Sequence, residues 1–429
     1  MKKKNFDWYL RTYRFNEKID RKFTNFGKFV CIVAVALLLF VNMRTSNLFL
    51  MFSIALAMIL ADTLSLSGRL PKIEMTRYLP ESCQNRKRFS YNVTLTVRDT
   101  QRPLKGRLYF QEIAASPTPS FEVFDTTPEP GEERRNRFDR MMGYYRWKWL
   151  IQKNRGGDYP ETEIGVKPDS QVQTFSANFT PARRGRIGFS GAYIYKKGLF
   201  GIFKKGIIIE NYSSFVALPE IIPFDTGSIF QTGGSSGGEK TRETQETGSG
   251  FELKSLRDFM PGDSLRNIHW KSSAKSGTLK TKEFYKDVDA GSLFFIDNSF
   301  PGRYFEDFEP LLSGAASLLF QLDRENRLPQ LLMIGEEIFE TPENAPKPLN
   351  ELLNLLAFAE GSPVKIDNNV KLKEIIGNNS SNVFFFTPVY DDARYDAAER
   401  IAAAGTGVSL FYTGERLTRK GQIFYEKRL

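Results

Sequence analysis

Two apolar runs dominate the first part of the chain. Residues 29–43 are broken only by Asn42, and residues 48–61 carry a weaker extension through Leu64 and Leu66. Arg44-Thr-Ser-Asn47 separates them. Each run is slightly shorter than the ~20 residues of a full bilayer span, and snorkelling ends such as Lys28 and Arg44 complete it. The pattern predicts a transmembrane helical hairpin over 29–66. A signal peptide would show one apolar run and a small-residue cleavage site. A hairpin buried in a soluble core is the remaining alternative.

The period then falls to two. Phe89-Ser-Tyr-Asn-Val-Thr-Leu-Thr-Val97 alternates β-branched and aromatic residues with polar ones, as a half-buried strand does. Residues 106–110, 172–179, 187–195, 207–212 and 214–218 repeat the theme at turn-punctuated spacing. No convincing helix interrupts them, so an all-β, sandwich-like module is expected over 74–224. Within it, residues 134–155 interleave aromatics and cations. One reading is a basic aromatic surface for lipid headgroups or nucleic acid. The alternation favours the other, a strand with Tyr145, Trp147 and Trp149 facing the core. Residues 225–250 are rich in Gly, Ser and Thr and read as a flexible linker.

From 251 to 429 the pattern changes again. Short apolar runs at 292–297, 330–334, 383–387 and 408–412 alternate with helical periodicities at 304–322, 348–360 and 391–404, and a short one at 372–376. That alternation predicts an α/β domain on a parallel, doubly wound sheet, with functional groups at the C-terminal strand ends. The expected whole is multidomain: a basic N-terminal segment (1–28), a hairpin, a β-module and an α/β domain.

Charge adds orientation. The formal net charge is +10. Residues 1–28 hold nine Lys/Arg against three acids, directly before the first apolar run. The flank after the second run is also basic, whereas the intervening loop has one cation, Arg44. Both ends, and the soluble mass, are therefore expected in the cytoplasm of a cell with this protein in its membrane. A charge excess distributed this way reads as a topology signal, and no nucleic-acid partner is expected. Two cysteines, Cys31 and Cys83, make no disulfide framework and suit a reducing compartment.

Candidate chemistry concentrates in residues 250–275. Arg257, Asp258, Asp263, Arg266, Lys271 and Lys275 read as an ion network with Trp270 as its hydrophobic anchor. Pro261 and Gly262 fit a type II turn, and Asp263 a helix cap after it. His269 is the only histidine, and it lacks an accompanying nucleophile motif, so a hydrogen-bonded structural role outweighs general-base catalysis. One His and two scattered Cys supply no zinc site. Neither a Walker A sequence nor a Gly-x-Gly-x-x-Gly turn is present. No enzyme is expected.

The run Leu256-Arg257-Asp-Phe-Met-Pro261-Gly262-Asp263-Ser-Leu-Arg266-Asn-Ile-His269-Trp270-Lys271-Ser-Ser-Ala-Lys275, followed by Leu279 and Lys282-Glu-Phe284, resembles the signature of the DUF58 family. Phe259 stands where that pattern has Tyr, and Lys275 where it has Arg. Arg183-Arg184-Gly185 and Gly198-Leu199-Phe200 resemble pieces of the family's preceding region, and two N-terminal membrane helices are typical of it. The resemblance implies a von Willebrand factor A-like domain. It also implies association with MoxR-type AAA+ ATPases and an adaptor or assembly role without established enzymatic activity. A von Willebrand-type metal site would need Asp-x-Ser-x-Ser; here Asp297-Asn-Ser299-Phe-Pro301 has lost the second serine. Asp297, Ser299, Thr387 and Asp391 are thus a degraded ligand set, with magnesium the only cofactor they suggest. The leading expectation is a membrane-anchored, cytoplasm-facing interaction protein working with an AAA+ ATPase on membrane or envelope complexes. The alternative is a metal-dependent ligand-binding or processing protein acting at Asp297. A third is a basic surface that binds anionic lipid.

Overall fold

The structure is a computed structural model. It describes residues 2–40, 46–68, 71–98, 107–165, 171–222, 242–258, 268–288, 292–298, 305–324, 329–334, 338–340, 348–361, 382–388, 390–403, 407–413 and 425–428. The expected short helix at 372–376, Pro261, Gly262, Asp263, Arg266 and Ser299 lie outside the described residues. The chain is a mixed α/β protein that divides into two compact units, 1–220 with 354–358, and 221–353 with 359–429.

The first unit opens with three helices, α1 (Lys2–Lys22), α2 (Asn25–Phe40) and α3 (Ser46–Ser65). The basic segment read as a charge signal is therefore a helix in its own right. Phe6 and Tyr9 are buried on one of its faces. Helices α2 and α3 pack against each other. By length and composition one helix, Asn47–Ser65, can cross a membrane, while Asn25–Leu39 is apolar but shorter.

Strands β1 (Ile73–Tyr78), β2 (Ser82–Gln84), β3 (Phe89–Val97) and β4 (Leu108–Ala114) follow. Then come α4 (Phe121–Thr126), α5 (Arg137–Met142) and α6 (Tyr144–Arg155). Strands β5 (Gly157–Asp158), β6 (Thr162–Ile164), β7 (Val172–Pro181), β8 (Gly185–Lys197) and β9 (Lys204–Leu218) complete the unit. Two sheets form, ordered β1-β3-β7-β5 and β2-β9-β8-β4-β6. All pairings are antiparallel except the short β2–β9 contact. Alternate residues Tyr91, Val93 and Leu95 of β3 meet Phe110 of β4, Phe179 of β7 and Phe189 of β8 in one core. Across that core Arg77 makes a bidentate pair with Glu112, at 2.7 and 2.6 Å, and also donates to Ser213 Oγ at 2.9 Å. Tyr91 donates its hydroxyl to Glu112 at 2.8 Å, so the buried carboxylate is fully engaged.

The strand expected around 145–152 is the helix α6. Trp147 and Leu150, three residues apart, are its buried pair. They join Phe6, Tyr9 and Phe124 in a second cluster, against which Trp149 is partly buried. Glycines with positive φ bracket the helix, Gly143 at 70° and Gly156 at 74°. Tyr145 does not face the core; it is exposed beneath the Arg135 guanidinium, 3.9 Å from its centroid. A two-residue period spread over so few positions is also satisfied by a helix with one apolar stripe, and the partner stripe on α1 decides the outcome.

The helices are tied to the β-module through the β8–β9 turn. Asp62, in the last turn of α3, is fully buried. Its carboxylate accepts the backbone N–H of Phe200 at 2.6 Å, Ile202 at 3.1 Å and Phe203 at 2.7 Å. Gly198 passes so close that a Cβ there would lie 2.4 Å from the carboxylate. A Cβ on Gly27 of α2 would lie 2.0 Å from the Ile202 carbonyl oxygen. Thr24 adds a backbone bond to Ile202 O, and Tyr193 donates its hydroxyl to Arg21 O at 2.6 Å.

The second unit begins with β10 (Arg242–Asp258), α7 (Trp270–Ser276) and β11 (Lys280–Val288). Strand β10 pairs antiparallel with β11 through several register shifts. Part of the stretch read as linker, from Arg242 onward, is therefore strand, because β11 supplies its backbone partners. Strand β12 (Ser292–Asp297), α8 (Phe305–Arg324), β13 (Gln330–Ile334), β14 (Ile338–Glu340) and α9 (Leu349–Phe358) follow. Strand β15 (Asn382–Thr387), α10 (Asp392–Ala403), β16 (Gly407–Tyr412) and β17 (Tyr425–Arg428) close the chain. The six-stranded sheet runs β14-β13-β12-β15-β16-β17. Every neighbour is parallel except edge strand β14. Phe295, Phe385 and Leu410 are fully buried, as strands covered on both faces require.

Replacing Asp62 with Ala leaves three buried N–H groups without their acceptor, at a cost of roughly 1–3 kcal/mol for each group. Hydrogen exchange on the solubilised full chain should show the amides of Phe200, Ile202 and Phe203 losing at least about tenfold protection. The β3 and β7 amides should stay unchanged. Asp62→Asn, which keeps an acceptor but loses the charge, should fall between wild type and Asp62→Ala.

Candidate functional site

In sequence order the six strands of the second unit lie as 3-2-1-4-5-6, so the topology reverses between β12 and β15. Open α/β sheets place their functional groups outside the strand ends at that switch point. Here those ends are Asp297 of β12 and Thr387 of β15, both fully buried. The Thr387 hydroxyl donates to Asp297 Oδ2 at 2.9 Å. The same oxygen accepts Arg394 Nε at 2.7 Å. Arg394, one turn into α10, also donates from Nη1 to Asp391 Oδ2 at 2.5 Å. Asp391 in turn caps the helix, accepting the Arg394 backbone N–H at 2.9 Å. Burial would lower the Arg394 pKa, but Asp297 and Asp391 outweigh it and hold the guanidinium above its ordinary value.

Three of the four expected oxygen ligands, Asp297, Thr387 and Asp391, do converge. What they surround is a guanidinium. Arg394 was outside the candidate set, and it takes the cation's place between two carboxylates. A magnesium ion would compete with a fixed, bidentate internal cation, so these residues do not fit the metal. No group of three or more His, Cys, Asp or Glu able to hold a metal occurs among the described residues. Beside the lock, Asn298 donates Nδ2 to the Glu360 carbonyl at 2.8 Å, while its buried Oδ1 finds no partner among the described residues.

The second candidate locus is the motif segment. Arg257 and Asp258 lie at the end of β10, opposite Thr281 and Lys280 of β11. His269 is the N-cap of α7: its Nδ1 accepts the Ser272 N–H at 3.2 Å and sits 2.8 Å from the Ser272 hydroxyl. The backbone closes the clasp. His269 N–H donates to Lys280 O, and Lys280 N–H to Ser273 Oγ, each at 2.8 Å. Ser273 Oγ donates to His269 O at 3.0 Å. His269 thus caps the short helix with its imidazole and reaches β11 with its backbone N–H.

Trp270 corrects the expectation of a hydrophobic anchor. It is 67% exposed. Ile268, which bridges to Thr281, is the buried anchor instead. While Asp263 and Arg266 of the expected ion network lie outside the described residues, Lys271 and Lys275 are exposed too. The reason lies in the cap. Once His269 starts the helix, position 270 falls on the outer face, with Lys271, Ala274 and Lys275 beside it. Sequence alone hid this because an isolated Trp next to Ile reads as core. The alternation of Ile268 in and Trp270 out depends on where the helix begins.

Residues 255–379 match the model of a family described as a protein of unknown function, DUF58. A relative, an uncharacterized protein YeaD of Bacillus subtilis (strain 168), is 24% identical over 166 residues, which cover 38% of this chain and 40% of that protein.

Arg394→Ala strands the buried Asp297 carboxylate, and the loss should be about 3–5 kcal/mol in urea unfolding of the full chain. Arg394→Lys keeps the charge but not the fork to two carboxylates, and should recover only part of it. Millimolar magnesium should not shift the wild-type transition; a magnesium-dependent rise would show that the guanidinium yields to the metal.

Proposed function

We propose that this chain, whose residues 255–379 match the DUF58 family model, is a membrane-anchored interaction protein without a reaction of its own. The observation that carries the reading is Trp270. A large aromatic side chain stands out from a helix that His269 caps and Ser273 ties to β11, with the exposed Lys271 and Lys275 beside it. Rigid, exposed Trp flanked by polar groups is the composition of a binding hot spot. The internal lock at Asp297 supports the same reading, because it leaves the strand-end switch point filled by the chain's own cation. The partner proposed is an AAA+ ATPase of the MoxR type, in the assembly or maturation of membrane or envelope complexes, as the family resemblance implies. A nucleotide-driven partner has a natural contact in a surface that presents an aromatic anchor and positive charge.

The second unit is proposed to be von Willebrand factor A-like. The strand order, with one antiparallel edge strand, supports this. The anchor is proposed to be a two-span hairpin of α2 and α3. Their mutual packing and their exposed apolar faces, Phe29, Ile32 and Leu39 on α2 and Phe49, Ile54 and Leu60 on α3, support it. The basic flanks on both sides support cytoplasmic placement of both ends.

A pull-down of solubilised full-length protein from its native membranes tests the partner. Wild type should bring down an AAA+ ATPase. Trp270→Ala, with an unchanged unfolding midpoint, should recover at least about tenfold less, as loss of a hot-spot residue does. Absence of such an ATPase from both samples would overturn the partnership, and equal recovery would remove Trp270 from the contact.

A further inference from the structure

Helix α1 has two aromatic faces, and among the described residues one is buried and the other exposed. Phe6 and Tyr9 are buried, and Leu10 and Tyr13 pack against the same cluster of Phe124, Trp147 and Leu150. On the opposite side Lys4, Trp8, Arg11, Phe15, Lys18 and Lys22 follow one another at steps of four and three. That spacing keeps all six in one narrow stripe along the helix. Every one is exposed, Trp8 at 60% and Phe15 at 62%.

The stripe holds four cations, no acid, and none of its cations is ion-paired among the described residues. The acids of α1 lie elsewhere. Asp7 is at the stripe's edge, Glu17 is paired with Arg21, and Asp20 is paired with Lys28. A helix that needed only to pack on α4 and α6 would carry no aromatic residue on its outer face. Alternating Trp or Phe with Lys or Arg is the composition of a helix lying in a lipid interface, with rings at the acyl boundary and cations among the headgroups.

Position in the chain selects the occupant. Only Phe23 and Thr24 separate α1 from the apolar helix α2, and Thr24 Oγ1 caps α2 by accepting the Gly27 N–H at 2.8 Å. The stripe therefore ends within two residues of chain proposed to enter the bilayer. We infer that the outer stripe of α1 is a docking surface for anionic phospholipid, seated on the leaflet that α2 enters. This inference rests on the membrane-anchored reading above. The helix is then held from both sides, by the second aromatic cluster on one face and by headgroups on the other. The same anionic surface would fix the orientation of the β-module, because α1 is bonded to α5 through Asn5 and Tyr9, which both donate to the Met142 carbonyl.

Full-length protein reconstituted into phosphatidylcholine vesicles, with and without phosphatidylglycerol, tests the inference. The acyl chains carry bromine, and the readout is the tryptophan emission lost in Trp8→Phe. That difference signal should be blue-shifted and quenched in phosphatidylglycerol vesicles. It should be several-fold less quenched in their absence, and in a Lys4→Glu, Arg11→Glu, Lys18→Glu variant, at about fivefold in affinity per cation near an anionic surface. Retention after alkaline extraction reports the anchor separately. A chain that is retained while Trp8 emission stays unquenched overturns the lipid surface and leaves the anchor standing. Equal quenching with and without phosphatidylglycerol overturns the anionic preference. A chain that is extracted, yet quenched at Trp8 when mixed with phosphatidylglycerol vesicles, overturns the anchor and supports the stripe. Protection of Trp8 from aqueous quencher in native membranes but not in any vesicle would assign the stripe to a protein partner and overturn the inference.

Discussion

The connection between the helices and the β-module hangs on one buried carboxylate. Asp62 sits at the C-terminal end of α3, where the helix dipole disfavours a negative charge and burial strips it of water. Three backbone N–H groups from the β8–β9 turn, those of Phe200, Ile202 and Phe203, replace that water. Charge-assisted bonds of this kind are strong because both the desolvated anion and the desolvated donors need them. The cost of either partner standing alone makes the contact all-or-none. The turn can reach the carboxylate because Gly198 has no side chain, and α2 can approach the turn because Gly27 has none. Two glycines and one aspartate, far apart in sequence, thus form one structural device. The turn leaves Leu199 and Phe200 exposed beside apolar helices, in keeping with a turn at a membrane surface.

The second unit solves a different charge problem with similar means. A carboxylate at the end of a central parallel strand is costly to bury, and such sheets commonly hand it to a ligand. Here the chain supplies its own cation. Arg394 reaches back from α10 to Asp297 while also holding Asp391, so strand β12, strand β15 and helix α10 are joined by one guanidinium. The lock ties the sheet to the helix that follows it. The exposed aromatic of this unit's motif segment lies on the outer surface of α7, where Trp270 stands above the His269 clasp.

Much of this was legible from residue patterns, for reasons that can be named. The apolar runs of α2 and α3 are dense in Leu, Ile, Val and Phe, and each folds as one helix. The period-two alternation of β3 survives because one of its faces is buried over its whole length. The α/β alternation of the second unit was equally plain, since β12 and β15 are covered on both faces and α8 carries a continuous apolar stripe. Patterns failed where a residue's partner is remote. Residues 145–152 alternate like a strand, and only Phe6 and Tyr9 of α1, some 140 positions earlier in the chain, make them a helix. Asp62 gave no signal, because an acid after an apolar run looks like the end of a span. Arg394 was invisible as a site residue, since nothing local distinguishes it from a solvated helix cation. Asp297, Thr387 and Asp391 of the degraded ligand set come together around Arg394, a partner that no local pattern marks.

What the sequence by itself determined is the order of segments and the kind of each: a basic start, two apolar stretches, short strands, then alternating strands and helices, with a family-like signature at 256–275. These follow from local periodicity and composition, which act over a few residues and need no partner. Tertiary structure alone decided which charges cancel and which aromatics face out. It paired Asp297 with Arg394, turned Trp270 from an anchor into a surface, and left the outer face of α1 as an exposed aromatic stripe. The physical reason is common to all three. Burial and charge pairing are properties of pairs of residues brought together by the fold, and their sign changes with the partner that arrives.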